Sequence, residues 1–517
     1  MKHCYIILLL LLGTINWSCE DALTMTPEAS VTFGNAYQTE KDIESAMLAM
    51  EGAVRSFASQ YVHWASKLGE FDDYFDNGGG FALLQPAKLN GYTYSWYSAY
   101  NILKEVNSPI PFLDDVPMTE ERRNFYWGQI HFYKAFTYLH LVRDFGDCML
   151  IRDEVISGPL ARTSWVDVID YAIGEARAAA NLLPEYSELK DADGDVVTYK
   201  SIPCKGAANA VLAHLCAWKA GCKYMAPSVK SGYDDSALWQ AVDSACTAII
   251  SLDDVYKLAS NPEAVCTSVL VGGDRESIYE SIFRGFADEF GEISPTFLLA
   301  ESRYWQTYPV TTSRLTLSSG CRMLVSSVQE MFPTREEGGE KVTDLRRDAY
   351  FYKLDSLAHD TLLPLTEGYA FPWKWRYARL ETSGTGTGMF RGYDQNKIWF
   401  RLADIILLRA ESRVRLGNIE GAIDDLNRIR KRANAKPYES AEGDLRYAIF
   451  KEREKELLME GSRWYDVLRN EYYKTELYGG YRSVSQQDIL DGCFFLIVNG
   501  EANNTLFVQY PFWQKYL

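Results

Sequence analysis

The sequence has little of what most catalytic and nucleic-acid-binding proteins carry. Basic residues are in the minority, 53 against 70 acidic ones, and the formal net charge is −17. That balance argues against a surface that neutralises phosphates, so we predict no nucleic-acid partner. There are six histidines, and the common protease, esterase, phosphate-loop and dinucleotide motifs are missing. We therefore predict that the chain is not an enzyme and needs no cofactor.

A long apolar run occurs only near the start of the chain. The run Tyr5–Leu12 is too short to remain as a transmembrane helix, and residues 1–18 resemble a targeting segment. Ser18 and Cys19 then resemble a lipoprotein processing site, which makes Cys19 the lipidated first residue of a tether over residues 19–39. Cleavage removes one charged residue, Lys2, so the net charge changes from −17 to −18. An ordinary signal peptide with an incidental cysteine is the alternative.

The cysteines show no metal-binding spacing. Ten are present, but after Cys4 and Cys19 the remaining eight include no C-x-x-C pair. A chain of this length has a core to rely on, so we predict neither a metal site nor obligatory disulfides. Cys216 and Cys246 lie in apolar helical runs, where a free thiol behaves as a small hydrophobic group.

The densest pattern lies near the C-terminus and predicts three helices, Ile398–Leu416, Ile419–Ala433 and Leu445–Leu468. Gly417 ends the first, Asn418 caps the second and Asp444 caps the third. Charged residues of the third helix recur at steps of three or four between apolar ends. The stripe predicts a partly buried ion network of Arg453, Glu456, Glu460 and Arg463.

An alternative interpretation of Glu456 and Glu460 is that they form the paired catalytic carboxylates of a glycosidase. Each has an arginine one turn away, however. A neighbouring cation keeps a carboxylate ionised, whereas a general acid needs a raised pKa. We therefore interpret the pair as a structural brace.

Several runs resemble the SusD/RagB family of nutrient-capturing outer-membrane lipoproteins. The most specific is Glu452-Arg453-Glu-Lys-Glu456-Leu-Leu-Met-Glu460-Gly-Ser-Arg463-Trp-Tyr-Asp466, preceded by Arg401-Leu-Ala-Asp404-Ile-Ile-Leu-Leu-Arg409-Ala-Glu411. Segments around Trp96, Tyr133 and the C-terminal tail are also similar to the family. The resemblance implies a mainly α, SusD-like fold, in which tetratricopeptide-like helical hairpins form a scaffold and a variable, loop-rich half binds the ligand.

The expected domain organisation follows from this resemblance and from the fading of helical periodicity after about residue 260. We expect the aromatic stripes of the N-terminal half, including Trp96, Tyr133, Tyr138 and Leu141, to lie in the core. The predicted regions are the signal peptide (1–18), the tether (19–39), an N-terminal helical region (40–260), the variable region (261–395) and a C-terminal helical region (396–517).

An acidic and glycine-rich segment over residues 69–80 is a candidate ligand loop. It fails the EF-hand calcium pattern, because the third position from Asp73 is Phe75 and the twelfth is Leu84. In the resembling family the acidic loop at this position contributes to the ligand face, whereas a solvated acidic turn is the alternative. The candidates are Asp72, Asp73, Tyr74 and Asp76.

Aromatic side chains make up 14% of the sequence, with 34 tyrosines and 13 tryptophans, and they cluster in the variable region. A flat apolar ring edged by hydrogen-bond donors suits the face of a pyranose sugar. Packing in the core is the competing interpretation. The candidate ligand contacts are Tyr304, Trp305, Tyr308, Trp373 and Trp375.

Three functions remain open. The resemblance implies capture of an oligosaccharide or polysaccharide and its delivery to a TonB-dependent, SusC-like transporter, with the protein as a lid. Glu20 and Asp21 resemble the acidic signal that places such lipoproteins on the outer face of the outer membrane. A RagB-like alternative keeps the lid but carries peptide or glycoprotein, which an acidic protein can attract. The third is a helical scaffold that binds only proteins.

Overall fold

Helices dominate the structure, as the periodicity predicts. The computed structural model describes residues 36–65, 81, 83–88, 94–156, 158–226, 233–285, 322–355, 368–380, 382, 384–388, 390–498 and 504–516. The helices are α1 (Glu40–Ala65), α2 (Tyr97–Asn107), α3 (Ile110–Leu113), α4 (Glu120–Phe145), α5 (Trp165–Leu182), α6 (Lys205–Gly221), α7 (Asp235–Ile250), α8 (Pro262–Thr267), α9 (Val325–Met331), α10 (Arg346–Tyr350), α11 (Leu402–Arg415), α12 (Ile419–Arg432), α13 (Leu445–Glu456), α14 (Arg463–Arg469), α15 (Tyr473–Glu476), α16 (Gln486–Leu490) and α17 (Pro511–Gln514). Within these ranges no helix is long and apolar enough to cross a bilayer.

The longer helices pack in a row that follows the chain. Helix α4 packs against α5, α5 against α6 and α6 against α7, and the row continues through α11 to α12. Neighbouring helices can approach closely because alanine recurs along α5 and α6, where Ala172, Ala176, Ala210 and Ala213 are buried. Stacked helices bury their apolar faces on one another. That the hairpins are tetratricopeptide units stays a prediction.

Short strands lie between α7 and α11. Strand β1 (Ser277–Ser281) pairs antiparallel with β6 (Lys397–Arg401), so the ends of the long intervening segment meet. The other described strands form two small antiparallel pairs, β2 (Arg335–Glu337) with β3 (Glu340–Val342) and β4 (Ala378–Leu380) with β5 (Phe390–Tyr393). Strand β6 continues directly into α11, so the β1–β6 pair attaches the segment between these two strands to the row of helices.

The buried apolar residues form a large core and a smaller one. The large core joins the N-terminal and C-terminal helices and contains Trp96, Tyr133, Tyr138 and Leu141, so their predicted core role is confirmed. The smaller core belongs mostly to residues between Val265 and Ile398, and Leu458 and Met459 join it from the C-terminal helices. Cys216 and Cys246 are buried in α6 and α7, as their apolar surroundings predict.

The predicted helix ends are confirmed around α11, α12 and α13. Gly417 has a φ of 80°, a left-handed conformation that glycine adopts without strain, and it follows the end of α11. The Asn418 side chain accepts a hydrogen bond from the Gly421 amide, and the Asp444 carboxylate accepts from the Arg446 and Tyr447 amides. These contacts satisfy amides that would otherwise have no partner in the first turn.

Two details of the predicted C-terminal helices are wrong. The first helix begins at Leu402, because residues 397–401 pair with β1 as a strand. The third helix stops at Glu456 and a new one begins at Arg463. Between them Met459 and Gly461 have φ values of 66° and 84°, which an α-helix cannot include.

Candidate functional site

One face of α2 forms a wall of an open pocket of about 390 Å³. Tyr97, Asn101 and Lys104 line it from successive turns of the helix, at positions i, i+4 and i+7. The opposite face of α2 buries Ile102, Leu103 and Val106 in the large core. Because the buried face fixes the helix, the polar face is held in place as a rigid surface. We refer to this cavity as the Tyr97 pocket.

Tyr97 is the most distinctive residue of the Tyr97 pocket. Its side chain is 66% exposed, whereas its neighbour Trp96 is 2% exposed and packs edge-on against Tyr100 and Phe507, with ring centroids 5.4 Å and 5.6 Å away. Adjacent aromatic residues thus point to opposite sides of the helix start. Trp96 supports the structure, and Tyr97 is left with its ring open to solvent at the pocket.

The opposite wall consists of the described residues between Met149 and Leu160 (149–156 and 158–160), which side-chain hydrogen bonds hold against the helices. The Tyr100 hydroxyl donates to the Met149 carbonyl at 2.9 Å, and the Asn107 amide donates to the Glu154 carbonyl at 3.0 Å. The Tyr138 hydroxyl donates to the Ile151 carbonyl at 2.6 Å and accepts from its amide at 2.7 Å. A segment fixed at several points presents a preformed surface to a ligand, which lowers the entropic cost of binding.

The pocket combines apolar surface with a few polar groups. Tyr97, Asn101, Lys104 and the exposed Glu154 supply hydrogen-bond donors and acceptors along its edges. This mixture is typical of small-molecule sites and suits a sugar, whose ring has both C–H faces and hydroxyl groups. The apolar lining consists of Met149, Ile151, Val155, Ile156, Pro159 and Leu160.

The sequence interpretation missed the Tyr97 pocket because it assigned this aromatic stretch to the core. The pattern does contain a usable signal. Tyr97, Asn101 and Lys104 share a helical face that excludes the apolar residues Ile102 and Leu103. The opposite wall has no such signal, because Val155 and Ile156 belong to an irregular segment whose position depends on distant hydrogen bonds.

Most of the predicted ligand residues, like the predicted lipidation site Cys19, lie outside the described residues. Cys19 precedes the described part of the chain, and the acidic loop and the first aromatic cluster fall within 66–80 and 286–321. Their roles therefore stay predictions. The ligand residues in question are Asp72, Asp73, Tyr74, Asp76, Tyr304, Trp305 and Tyr308.

The two predicted tryptophans of the described part differ. Trp375 is 3% exposed and belongs to the smaller core, so the prediction that its ring faces a ligand is wrong. Trp373 is partly exposed; the Tyr352 ring lies 5.1 Å away and the Arg376 guanidinium carbon lies 5.0 Å from its ring centroid. Neither residue lines the Tyr97 pocket. Apolar rings are the natural filling of a core, which is why Trp375 packs.

The alternative site, the carboxylates of Glu456 and Glu460, lies in a dense network of arginines. Arg401 donates from Nη1 to Glu276 and Glu456, at 2.8 Å each, and from Nε to Glu460 at 2.8 Å. Arg432 donates to Glu276 at 2.8 Å and also contacts Glu456. The arginine–carboxylate pairs are buried, so the desolvation cost of each charge is offset only while its partners remain.

These contacts set the protonation of the carboxylates. Burial alone would raise the pKa of Glu456, but Arg432, Arg401 and Arg346 together hold that pKa well below its usual range. Burial likewise opposes ionisation of Glu460, and Arg401 and Lys374 overcome it and lower the pKa. A general acid needs the opposite shift, because it must hold a proton at neutral pH. The pair is therefore chemically suited to bracing.

The arginines expected to neutralise these carboxylates pair elsewhere. Arg453 donates to Asp466 at 2.9 Å and Asp404 at 2.6 Å, whereas Arg463 donates to Glu454 at 2.6 Å and Glu476 at 3.1 Å. The predicted one-turn pairing is wrong in both cases. Arg453 shares α13 with Glu456 but donates to Asp404 and Asp466 instead, and α13 ends before Glu460, so Arg463 begins a new helix.

The helix break leaves backbone carbonyl groups without helical partners, and cationic side chains that are distant in sequence donate hydrogen bonds to them. The Lys374 ammonium donates to the carbonyls of Glu456 and Leu458 at 3.2 Å and 2.8 Å, and Arg401 donates to the Glu456 carbonyl at 2.9 Å. The break thus joins the C-terminal helices to the segment that lies between α7 and α11.

Comparison with known proteins identifies this architecture. A model of the SusD family matches residues 366–489. The chain is 23% identical to SusD-like protein P2 of Formosa agariphila, over 90% of each chain. Its fold matches that of a SusD homologue from Bacteroides thetaiotaomicron with a TM-score of 0.73 and 21% identity, covering 92% of this chain and 99% of the other. A solved laminarin-binding SusD-like protein matches with a TM-score of 0.66 and 20% identity, covering 92% and 100%.

The fold is therefore that of the SusD-like proteins, mainly helical with few strands. The family match lies on the segment that carries the arginine network and the helix break, which are the features that the sequence motif encodes. The match to the SusD family model and the likeness to SusD-like proteins over most of the chain support membership of the SusD/RagB family.

Proposed function

We propose that this protein captures an oligosaccharide or polysaccharide nutrient at the cell surface and binds it in the Tyr97 pocket without cleaving it. The observation that carries the proposal is the 66% exposed Tyr97 ring on a rigid helix face, next to Asn101 and Lys104. An exposed aromatic ring stacks on the apolar face of a sugar, and the neighbouring polar groups bind its hydroxyls. Solved relatives that include a laminarin-binding SusD-like protein support a saccharide as the cargo.

We propose further that the captured glycan passes to a TonB-dependent transporter of the SusC type, over which this protein acts as a lid. Lipidation of Cys19 would anchor it to the outer membrane, facing the exterior. Membership of the SusD/RagB family supports this assignment. Purification of the full-length chain from outer membranes, with its bound proteins identified, tests it. Recovery of a SusC-type barrel is expected, and recovery of the chain alone would count against the lid.

Binding without cleavage is also consistent with the carboxylate chemistry. The spacing of Glu456 and Glu460 is compatible with the carboxylate pair of a glycosidase. Neighbouring arginine and lysine side chains, however, keep both carboxylates ionised. Among the described residues that line the Tyr97 pocket, Glu154 is the one that carries a carboxylate, whereas hydrolysis of a glycosidic bond ordinarily uses a pair.

The capture step can be tested by calorimetry with a soluble form that begins at Glu20. Laminarin oligosaccharides, maltooligosaccharides and a set of basic peptides would be titrated into the wild type, Tyr97→Ala and Tyr199→Ala. Tyr199 is a matched control, because it is 59% exposed but does not line the pocket. We expect Tyr97→Ala to weaken saccharide binding at least tenfold, equivalent to about 1.4 kcal/mol. Tyr199→Ala should bind within about twofold of the wild type.

Two outcomes would contradict the proposal. Equal saccharide affinity in wild type and Tyr97→Ala would show that the sugar binds elsewhere. Binding of peptides with no response to any saccharide would favour the peptide-carrying alternative.

A further inference from the structure

A second cavity, of about 440 Å³, lies on the C-terminal half of the molecule and shares no lining residue with the Tyr97 pocket. It lies where α9, α13, the turn after α13 and the segment around Tyr478 meet. Its volume is within the range of small-molecule sites. Met331 and Leu458 give it an apolar side, and the remaining lining is mostly charged. We refer to it as the Lys455 pocket.

Most charges of the Lys455 pocket are already paired within the protein. Lys451 contacts Glu454 at 2.5 Å, and Arg463 donates to Glu454 at 2.6 Å and to Glu476 at 3.1 Å. At the edge, Glu442 accepts a bidentate contact from Arg430, with both distances 2.7 Å. These groups are satisfied without a ligand.

Lys455 is different. It lines the pocket and is partly buried, yet among the described residues its ammonium makes no hydrogen bond or ion pair. The two acids that act on it electrostatically, Glu452 and Asp344, are engaged by other cations. Glu452 contacts Arg346 at 2.7 Å and Arg430 at 2.9 Å, and Asp344 contacts Arg346 at 2.6 Å.

The electrostatics of this position leave Lys455 short of a counter-ion. Burial lowers the pKa of Lys455, Glu452 and Asp344 oppose that shift, and Arg346 and Arg430 add to it. A partly desolvated ammonium without a partner is unfavourable, and an anion placed against it recovers the lost interaction.

The rim of the pocket supplies further recognition groups. Arg482 donates from Nε to the Leu477 carbonyl at 2.9 Å, and its guanidinium carbon lies 5.4 Å from the Tyr478 ring centroid. Arg482 is exposed, and Tyr478 is 42% exposed. A planar cation beside an aromatic ring is suited to a carboxylate attached to a flat or cyclic body.

The lining also limits the charge of a ligand. Glu330 is exposed at the rim, and the structure shows no hydrogen bond or ion pair to it from any described residue. Its negative charge opposes a dianion such as phosphate more than a monoanion, because the repulsion grows with the charge of the ligand. We propose that the Lys455 pocket is a second binding site, which takes a small monoanionic carboxylate with a partly apolar body, such as a uronic acid.

Calorimetry with D-glucuronate as the anionic probe and D-glucose as its neutral match tests this site on the soluble chain. The variants are Lys455→Met, which keeps the aliphatic stem, Lys455→Arg, which keeps the charge, and Lys474→Met. Lys474 is a matched control, because it is exposed on α15 and does not line the pocket. Removal of a partly buried unpaired charge should not prevent folding, which a thermal unfolding scan checks.

We expect wild type, Lys455→Arg and Lys474→Met to bind glucuronate with affinities within about threefold of one another, and Lys455→Met to lose at least tenfold. Glucose should bind at least tenfold more weakly than glucuronate. No binding of glucuronate to the wild type, or equal binding to Lys455→Met, would overturn the proposal. Because the Tyr97→Ala variant keeps the Lys455 pocket intact, it separates the failure of this site from the failure of glycan capture.

Discussion

The C-terminal helices and the Tyr97 pocket use polar side chains in opposite ways. In the C-terminal helices many charged groups are buried and paired, and the single residue Arg401, from the adjoining strand β6, contacts three carboxylates, those of Glu276, Glu456 and Glu460. In the pocket, Asn101 and Lys104 point away from a core that the same helix fills with apolar residues. The strongest sequence motif therefore belongs to a brace, and the surface suited to a ligand carries a weak pattern. In this chain the most specific sequence motif reflects residues that pack and pair inside the protein, rather than residues suited to bind a ligand.

Removal of Arg401 should have the largest effect and tests whether the network is a brace. Arg401→Ala leaves three buried carboxylates without their shared cation, and we expect the free energy of unfolding to fall by about 3–5 kcal/mol. Urea unfolding at neutral pH measures this. Arg428→Ala is the control, since Arg428 is partly exposed and should cost about 0.5 kcal/mol or less.

Saccharide affinity of the folded protein sharpens the same test. We expect folded Arg401→Ala to bind like the wild type, because Arg401 does not line the Tyr97 pocket. Loss of affinity with unchanged stability would instead place the network in the binding site and remove the contrast between the two regions.

The second-largest effect that we predict is a dependence of the stability on pH, caused by Glu411. Glu411 accepts from Arg469 at 2.9 Å and 2.6 Å; burial favours a raised pKa, but Arg469 and Arg415 lower the pKa to about 2 from a usual value of 4.5. The folded pKa lies below the unfolded one, so this stabilisation is complete above about pH 5 and is lost as the pH falls toward 2.

We therefore expect Glu411→Gln to be less stable than the wild type by up to about 3 kcal/mol at pH 7, with the difference shrinking toward pH 2. Urea unfolding at several pH values measures it. Glu420→Gln, at an exposed position on α12, should show no such trend. A constant difference at every pH would mean that Glu411 stabilises the fold by shape rather than by charge.

The smallest predicted effect concerns the wall of the Tyr97 pocket. Tyr100→Phe removes the hydrogen bond to the Met149 carbonyl, and we expect it to cost about 1 kcal/mol of stability. Saccharide affinity should fall about two- to fivefold, because the wall is less well fixed. Calorimetry compares it with Tyr516→Phe, an exposed tyrosine outside the pocket. An unchanged affinity would show that the ligand does not depend on this wall.

The sequence predicts those features that depend on neighbouring residues. The caps at Asn418 and Asp444 and the helix end at Gly417 follow from local backbone chemistry, and all three are present. The break after Glu456 does not follow from helical spacing, which continues through it. Its stability depends on Lys374 and Arg401, which contact it from more than fifty residues away.

The Tyr97 pocket, which we propose as the ligand site, is harder to predict for a related reason. The exposure of Tyr97 and the burial of Trp375 are decided by which surfaces pack together, and both residues belong to aromatic-rich stretches with similar composition. An aromatic-rich composition is typical both of a buried core and of a binding surface, so composition alone does not tell which of the two such a stretch forms. The anchoring of the Met149–Leu160 wall depends on Tyr100, Asn107 and Tyr138, whose partners no local pattern specifies.

The most direct test of glycan capture is a crystal structure of the soluble chain with an oligosaccharide that calorimetry has shown to bind. We predict a pyranose ring stacked on Tyr97, with hydroxyl groups within hydrogen-bond distance of Asn101 or Lys104. A saccharide bound elsewhere, with the Tyr97 ring still open to solvent, would contradict the account.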